Sequence, residues 1–247
     1  TVDHPHRAGP FFLLLPMNTQ PSPLPGFNLD ELPAGAPPRL GAAADDLYEM
    51  KDFALAIESA HKLIDRYPGT DKDLLRSAWA VIAHSSIDIT EYEDAELAYT
   101  NVLALTSSDD DSRAAVIDGL AASIYKQAEQ ANLLEDYRAA ANHFLRIKDV
   151  APTSNIRAAA EYDAAAALMK LQDWETSARV LEDFRADNPD HELNADATKQ
   201  LAFVYHENGQ VERAAREHER ISLEATDPEL KREALLTAGQ LYDKVDV

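Results

Sequence analysis

Cysteine is absent from the 247 residues. This excludes disulfides, thiolate nucleophiles, iron–sulfur ligation and cysteine-based zinc sites. It fits an oxidising compartment such as the periplasm, and it fits a cytosolic chain too. Cationic residues are few: 23 Lys and Arg stand against 44 Asp and Glu, a formal net charge of -21. Residues 1–40 hold only Arg7 and Arg39 against Asp3, Asp30 and Glu31, or -1, so the remainder carries -20. Such a surface repels phosphate backbones and anionic lipid, which excludes nucleic acid as an expected partner and suggests a basic protein instead. No apolar run approaches the roughly 20 residues of a membrane-spanning helix. Aromatic residues make up only 7% while alanine is abundant. Small side chains let helix backbones approach closely, so the composition favours packed helices over a β-sandwich.

Catalytic signatures are missing as well. There is no Walker A sequence, no G-x-G-x-x-G, no H-E-x-x-H and no G-x-S-x-G. His4 and His6 are close in sequence, but two ligands in a proline-rich segment make a poor metal site. His61, His84, His143, His206 and His218 are scattered. Carboxylates are so numerous that chance pairs carry no weight as acid–base candidates. The expectation is a protein without catalysis, cofactor or metal.

Proline is concentrated at one end. Nine of the thirteen prolines lie in residues 1–40, so this segment is expected to be extended rather than helical. Its apolar run Phe11–Leu15 has no basic region or cleavage site in signal-peptide order. The segment reads as a linker or tail, with Met17 an alternative natural start. Its greasy run is a candidate for filling a neighbouring molecule's groove, which would make a homodimer through residues 1–40.

From Gly41 onward a single frame repeats. Phe53, Tyr92, Tyr137, Trp174 and Val211 each open an amphipathic segment, at spacings of 39, 45, 37 and 37. Nine residues before them stand Ala44, Ala83, Ala128, Ala165 and Ala202. Fifteen residues after three of them stand Pro68, Pro152 and Pro189. Phe53, Ala56, Ile57, Ala60, Leu63 and Ile64 lie on one helical face. A unit of this length cannot bury its apolar face alone and must stack on its neighbours. The repeats run over about 41–70, 71–110, 111–154, 155–192 and 193–229, with a half-repeat at 230–247. Gly239 continues the frame 37 residues after Ala202, with no second helix after it. This points to a terminal helix or to a piece of a larger protein. The third repeat is longer, either through an insertion KQAEQANLL before its second helix or through a first helix lengthened at its start. The run from Ser107 to Ser112 replaces the usual proline and is expected to supply a turn and a helix N-cap. Asn208-Gly209 is a turn signal and a C-cap.

These residues resemble the tetratricopeptide (TPR) repeat family. The resemblance rests on the small residue late in the first helix, the aromatic opening the second, the alanine three residues on (Ala56, Ala95, Ala140, Ala214) and the closing proline. It implies an all-α solenoid of about five helix hairpins plus a final helix. Stretches such as DRYPGTDKDLLRSAWAVIA are also similar to bacterial envelope TPR adaptors of the CpoB (YbgF) and BamD kind, which implies a periplasmic location. In TPR proteins the first helices line a concave face that holds ligands. By frame, that face takes Ser77, His84 and Asp88 from the second repeat and Tyr162, Met169 and Lys170 from the fourth. Asp196, Lys199, Phe203 and His206 follow from the fifth, and Glu233 and Gln240 from the last helix. The mixture suggests a peptide held by apolar contacts and a few charges. The Lys/Asn clamp that grips a C-terminal carboxylate in some TPR domains is not reproduced, since Lys199 stands alone. The expected function is a scaffold or adaptor for a protein partner. The alternatives are self-assembly through the N-terminal segment and a regulatory domain of a larger enzyme.

Overall fold

A computed structural model describes residues 37–245, and every regular element within them is a helix. Eleven are present among the described residues: α1 (Pro37–Glu49), α2 (Phe53–Arg66), α3 (Lys72–Asp88), α4 (Tyr92–Leu105), α5 (Arg113–Leu133), α6 (Tyr137–Val150), α7 (Arg157–Lys170), α8 (Trp174–Asp187), α9 (Asn194–Glu207), α10 (Val211–Glu224) and α11 (Pro228–Val245). Consecutive helices pack on one another, giving five hairpins with α11 leaning on α10. The second helix of every hairpin begins at the opening residue of its repeat. All five are 14 residues long, or about 21 Å. Of the expected tail and dimer segment, residues 1–40, all but the last four residues lie outside the described residues.

The start of the solenoid corrects one expectation. Helix α1 begins at Pro37, inside the segment expected to be extended. Pro37 and Pro38 occupy the first turn, where the missing N–H has no intrahelical acceptor to lose. Leu40 is buried, and its carbonyl accepts the Ser59 hydroxyl at 3.2 Å. Gly41 lies so close to α3 that a Cβ there would stand 2.7 Å from Leu74 Cδ1.

The third repeat is long because α5 is lengthened at its start. Ala128 is fully buried and lies five residues before the helix ends at Leu133. Ala83, Ala165 and Ala202 stand in the same relation to the ends of α3, α7 and α9. The 21-residue helix therefore grows at the other end, and nothing is inserted before α6. Ser112 stands at the N-cap position but caps nothing through its side chain. Its hydroxyl and N–H both donate to Asp110 Oδ1, at 2.6 and 2.9 Å. These bonds, with that from Arg76, hold the Asp110 carboxyl down at about 2.

Each hairpin turns through the same backbone motif. The residue two before each opener has positive φ: Lys51 (62°), Thr90 (67°), Glu135 (60°), Gln172 (58°) and Gly209 (71°). The N–H of the next residue reaches back five positions, as in Asp52 to Leu47 (2.9 Å) and Gln210 to Tyr205 (2.8 Å). This pairing satisfies the orphan carbonyls of the first helix. Asp52, Asp136 and Asp173 then cap the second helix by accepting from Leu55, Ala139 and Thr176 N–H. Four of the five left-handed positions are not glycine. A β-branched residue is the poorest occupant, because its Cβ crowds the carbonyl there by about 1–2 kcal/mol. After glycine's entropy cost, Thr90→Gly is expected to stabilise the chain by about 0.5–1 kcal/mol, and Gly209→Thr to destabilise it by about as much. Urea unfolding of both variants checks this, and the account fails if the two exchanges shift stability in the same direction.

Packing follows the frame. Nine before each opener, Ala44, Ala83, Ala128, Ala165 and Ala202 are all buried. Their small size lets the second helix ride close, and in the fourth repeat Ser177 donates from its hydroxyl to the Ala165 carbonyl at 3.1 Å. Thirteen before each opener come Leu40, Trp79, Ile124, Glu161 and Thr198. All are buried except the half-buried Trp79. Glu161 is thus a carboxyl in an apolar slot. Neighbouring second helices are joined by ion pairs: Glu96 with Arg146 (2.7 and 2.8 Å), Lys148 with Asp187 (2.9 Å) and Arg185 with Glu217 (2.5 and 2.9 Å). First helices are joined by tyrosine hydroxyls, Tyr125 donating to Asp163 and Tyr162 accepting from Gln200 at 2.5 Å.

Candidate functional site

The positions expected on the first helices separate into three groups. On α3, Ser77 is half-buried, while His84 and Asp88 are exposed. His84 is set between aromatic rings, with centroids 6.0 Å from Tyr48 and 5.8 Å from Tyr99. Burial pushes its imidazole below the usual histidine range, against the pull of Asp88. The His84 ring thus bridges the first two repeats, while Asp88 stays open to solvent. On α7, Lys170 is exposed and Met169 half-buried. Tyr162 is a strut, its ring 5.9 Å from Phe184 and its hydroxyl held by Gln200. It therefore has less freedom to receive a ligand than its place on the face suggests.

The third group converges. Lys199, Phe203 and His206 of α9 and Glu233 and Gln240 of α11 line one cavity of about 510 Å³. It forms because α11 leans on α10 and leaves a cleft against α9. Ala202, His218, Ile221, Leu230, Ala234, Thr237, Leu241 and Lys244 complete the lining. Ala202, Ile221 and Ala234 are a cluster of buried residues beneath it. Above this apolar floor Phe203 is 51% exposed, its ring edge-on to Trp174 at 5.8 Å. An aromatic held by one neighbour and open on its other side offers area for an apolar ligand group at little entropic cost. Asp196 lies beside the cleft, paired with Lys199 at 2.8 Å. Burial, and then the neighbouring His206, lower the pKa of His218, which favours its neutral form.

The cleft's charge differs from that of the whole chain. Its ionic side chains are Lys199, Lys244 and Glu233, two cations to one anion in a protein of net charge -21. The cleft itself therefore does not ask for the basic partner that overall composition suggested. Thr237 and Lys244 were not foreseen in it. The signal was present in the spacing, since Glu233, Thr237, Gln240 and Lys244 fall at i, i+4, i+7 and i+11 on one helical face.

A second, smaller cavity of about 250 Å³ lies among Glu182, Arg185, Tyr205, Arg213, Arg216 and Glu217. Its charged groups are already paired. Arg213 pairs with Glu182 and lies 4.2 Å over the Tyr205 ring, Arg185 pairs with Glu217, and Arg216 pairs with Glu212. No cluster of three or more metal-ligating side chains occurs among the described residues. No described helix is long and apolar enough to cross a membrane.

Residues 43–70 match a tetratricopeptide repeat family. No curated protein sequence matches the chain. Solved structures similar to it include the MamA protein, at 14% identity over 85% of this chain and 92% of that one, with a TM-score of 0.40. BtubC from P. vanneervenii is 19% identical over 85% of each chain, with a TM-score of 0.41. PilW, a type IV pilus biogenesis factor, is 14% identical over 86% of this chain and 93% of that one, with a TM-score of 0.37.

Proposed function

We propose that this chain, a tetratricopeptide-repeat protein, is a scaffold that holds an extended peptide of a protein partner in the cleft between α9 and α11. The repeat class serves in general as a protein-interaction scaffold. The observation that carries the finer reading is Phe203, half exposed over an apolar floor in a cleft of about 510 Å³. The ligand that fits is a peptide with one apolar anchor on Phe203 and a carboxylate within reach of Lys244. His206, Glu233 and Gln240 offer polar contacts on either side. Met169 and Lys170 of α7 continue the first-helix face and would steer the rest of a longer ligand. The Tyr67-Pro68-Gly69 junction is the feature that favours placing this scaffold in a bacterial envelope.

Selection of a random peptide library on the full chain, followed by calorimetry, tests the reading. Selected peptides are expected to share an apolar residue near an acidic one. Phe203→Asp should weaken them by about tenfold or more, as loss of a central aromatic anchor does. Leu133→Asp, at an exposed apolar residue outside the cleft, should leave them unchanged. Peptides indifferent to Phe203→Asp would show that the cleft is not the binding site.

A further inference from the structure

A row of exposed apolar side chains follows the edge where the hairpins turn. Three residues before each opener stand Met50, Ile89, Leu134, Leu171 and then Asn208. Met50 is 61% exposed, Ile89 38% and Leu134 81%, with Leu133 beside it at 84%; Leu171 is half-buried. The backbone N–H at this position donates four residues back in all five turns, from Met50 to the Asp46 carbonyl (3.0 Å) through to Asn208 and the Val204 carbonyl (2.9 Å). Asn208 makes that turn as the others do, so the turn itself has no need of an apolar side chain here. Single exposed apolar residues are ordinary, whereas a row of them in register marks an interaction surface.

The turns stand side by side. Tyr48, two residues before Met50, has its ring 6.0 Å from that of His84 on α3. Gln130 of α5 donates to the carbonyl of Thr90 in the second turn at 3.4 Å. Arg138, just past the third turn, donates to Asp173 of the fourth at 3.1 Å. The row therefore passes from the first repeat to the fourth, and it stops at Asn208 of the fifth.

Its charge defines the occupant. The four residues before each of the first four openers hold seven carboxylates against Lys51 and Lys170. Asp52, Asp136 and Asp173 are engaged by N–H groups of the helices they cap. Glu91 and Glu135 are exposed, and Glu91 makes no cap bond to its helix. Such an edge repels anionic lipid and a second copy of a chain of net charge -21, and it attracts a cation.

We infer that this turn edge docks a cationic segment of a partner protein, one in which apolar residues are interspersed with lysine or arginine. Contacts on Met50, Ile89 and Leu134 supply the affinity, and the carboxylates beside them supply steering and register. The edge is separate from the cleft, whose lining holds two cations to one anion.

The probe is a fluorescent synthetic peptide of five Leu-Lys-Ser units, titrated into the full chain and read by anisotropy. Saturable binding is expected. The double variant Ile89→Asn with Leu134→Asn gives two turns the residue that the fifth already carries, and it should weaken binding about tenfold or more. A peptide with every leucine replaced by serine should bind the unchanged chain just as poorly. Phe203→Asp should leave binding of the leucine peptide as it was, which separates this edge from the cleft. Absence of saturable binding, or binding that ignores either the double variant or the loss of leucine, overturns the proposal. A dimer seen by light scattering that the double variant makes monomeric would also overturn it, because a second copy would then be the occupant. Sedimentation with neutral phosphatidylcholine vesicles that the double variant abolishes would do the same in favour of a membrane.

Discussion

Replacing Glu161 by leucine is expected to raise stability at neutral pH by about 1–4 kcal/mol, the range seen when buried ionic groups give way to apolar ones. The side chain is only 3% exposed, and neither carboxylate oxygen has a hydrogen-bond partner. Lys148 Nζ is 3.6 Å away and Arg157 Nε 3.9 Å, so two cations offset the charge without bonding to it. Desolvation is the larger effect, and it raises the Glu161 pKa above the ordinary 4.5. The replacement strands no cation. Lys148 keeps Asp187 at 2.9 Å, and Arg157 is partly open to solvent. Leucine is already the occupant at Leu40, the same position of the first repeat. Because its folded pKa is raised, the folded chain binds this proton more tightly than the unfolded chain does. The cost of Glu161 is therefore absent below the unfolded value of 4.5 and grows as pH rises through the folded one. Urea unfolding should show the leucine variant's advantage at its largest at neutral pH, shrinking as pH falls through the raised folded value and at its smallest below about 4.5. An advantage that does not vary with pH would mean that shape, not desolvated charge, governs this slot.

Gly119→Ala is expected to destabilise the chain by about 2 kcal/mol, although alanine is the better helix former by about 1 kcal/mol. Gly119 lies in the lengthened first half of α5, directly under Tyr99 of α4. A Cβ there would stand 2.4 Å from Cε1 and 2.5 Å from Cζ of that ring. The ring is a stiff body with 8% exposure, and burial lifts its phenol to about 12, so it has no easy escape toward water. Two packed residues of this kind are coupled, and their replacements should not add. In a Tyr99→Leu background, Gly119→Ala should become neutral or stabilising by up to about 1 kcal/mol. A double-mutant cycle by chemical denaturation measures this. A coupling near zero would show that the α4–α5 contact yields without cost.

What could be read from the sequence was whatever the period controls. The openers Phe53, Tyr92, Tyr137, Trp174 and Val211 mark helix starts because a residue that begins an apolar face does so wherever the chain goes next. Among the hairpin turns, only Asn208-Gly209 carries a residue type that prefers the left-handed conformation. Lys51, Thr90, Glu135 and Gln172 adopt the same left-handed conformation without any residue type that prefers it. Pro37 and Pro38 were misread because proline breaks a helix interior but suits its first turn. In the candidate site, frame alone brought Lys199, Phe203, His206, Glu233 and Gln240 together, since helix faces follow from spacing. It could not show that Tyr162 is spent on Gln200, because that depends on how two side chains turn. Nor could it show that α11 stands away from α9, because the cleft arises from the angle of one helix against another. Glu161 was within reach: its position in the frame is the one filled by Leu40 and Ile124.

The two layers of the solenoid are stitched with different thread. Between second helices the stitches are full charges, Glu96 to Arg146, Lys148 to Asp187 and Arg185 to Glu217. Between first helices they are tyrosine hydroxyls, Tyr125 to Asp163 and Tyr162 with Gln200. Dissolved ions weaken the first kind, in proportion to its exposure, and scarcely touch the second. A rise in ionic strength is therefore expected to loosen the row on the side of its second helices while leaving the side of its first helices as it was, and hydrogen exchange along a salt series would show the two sides parting company.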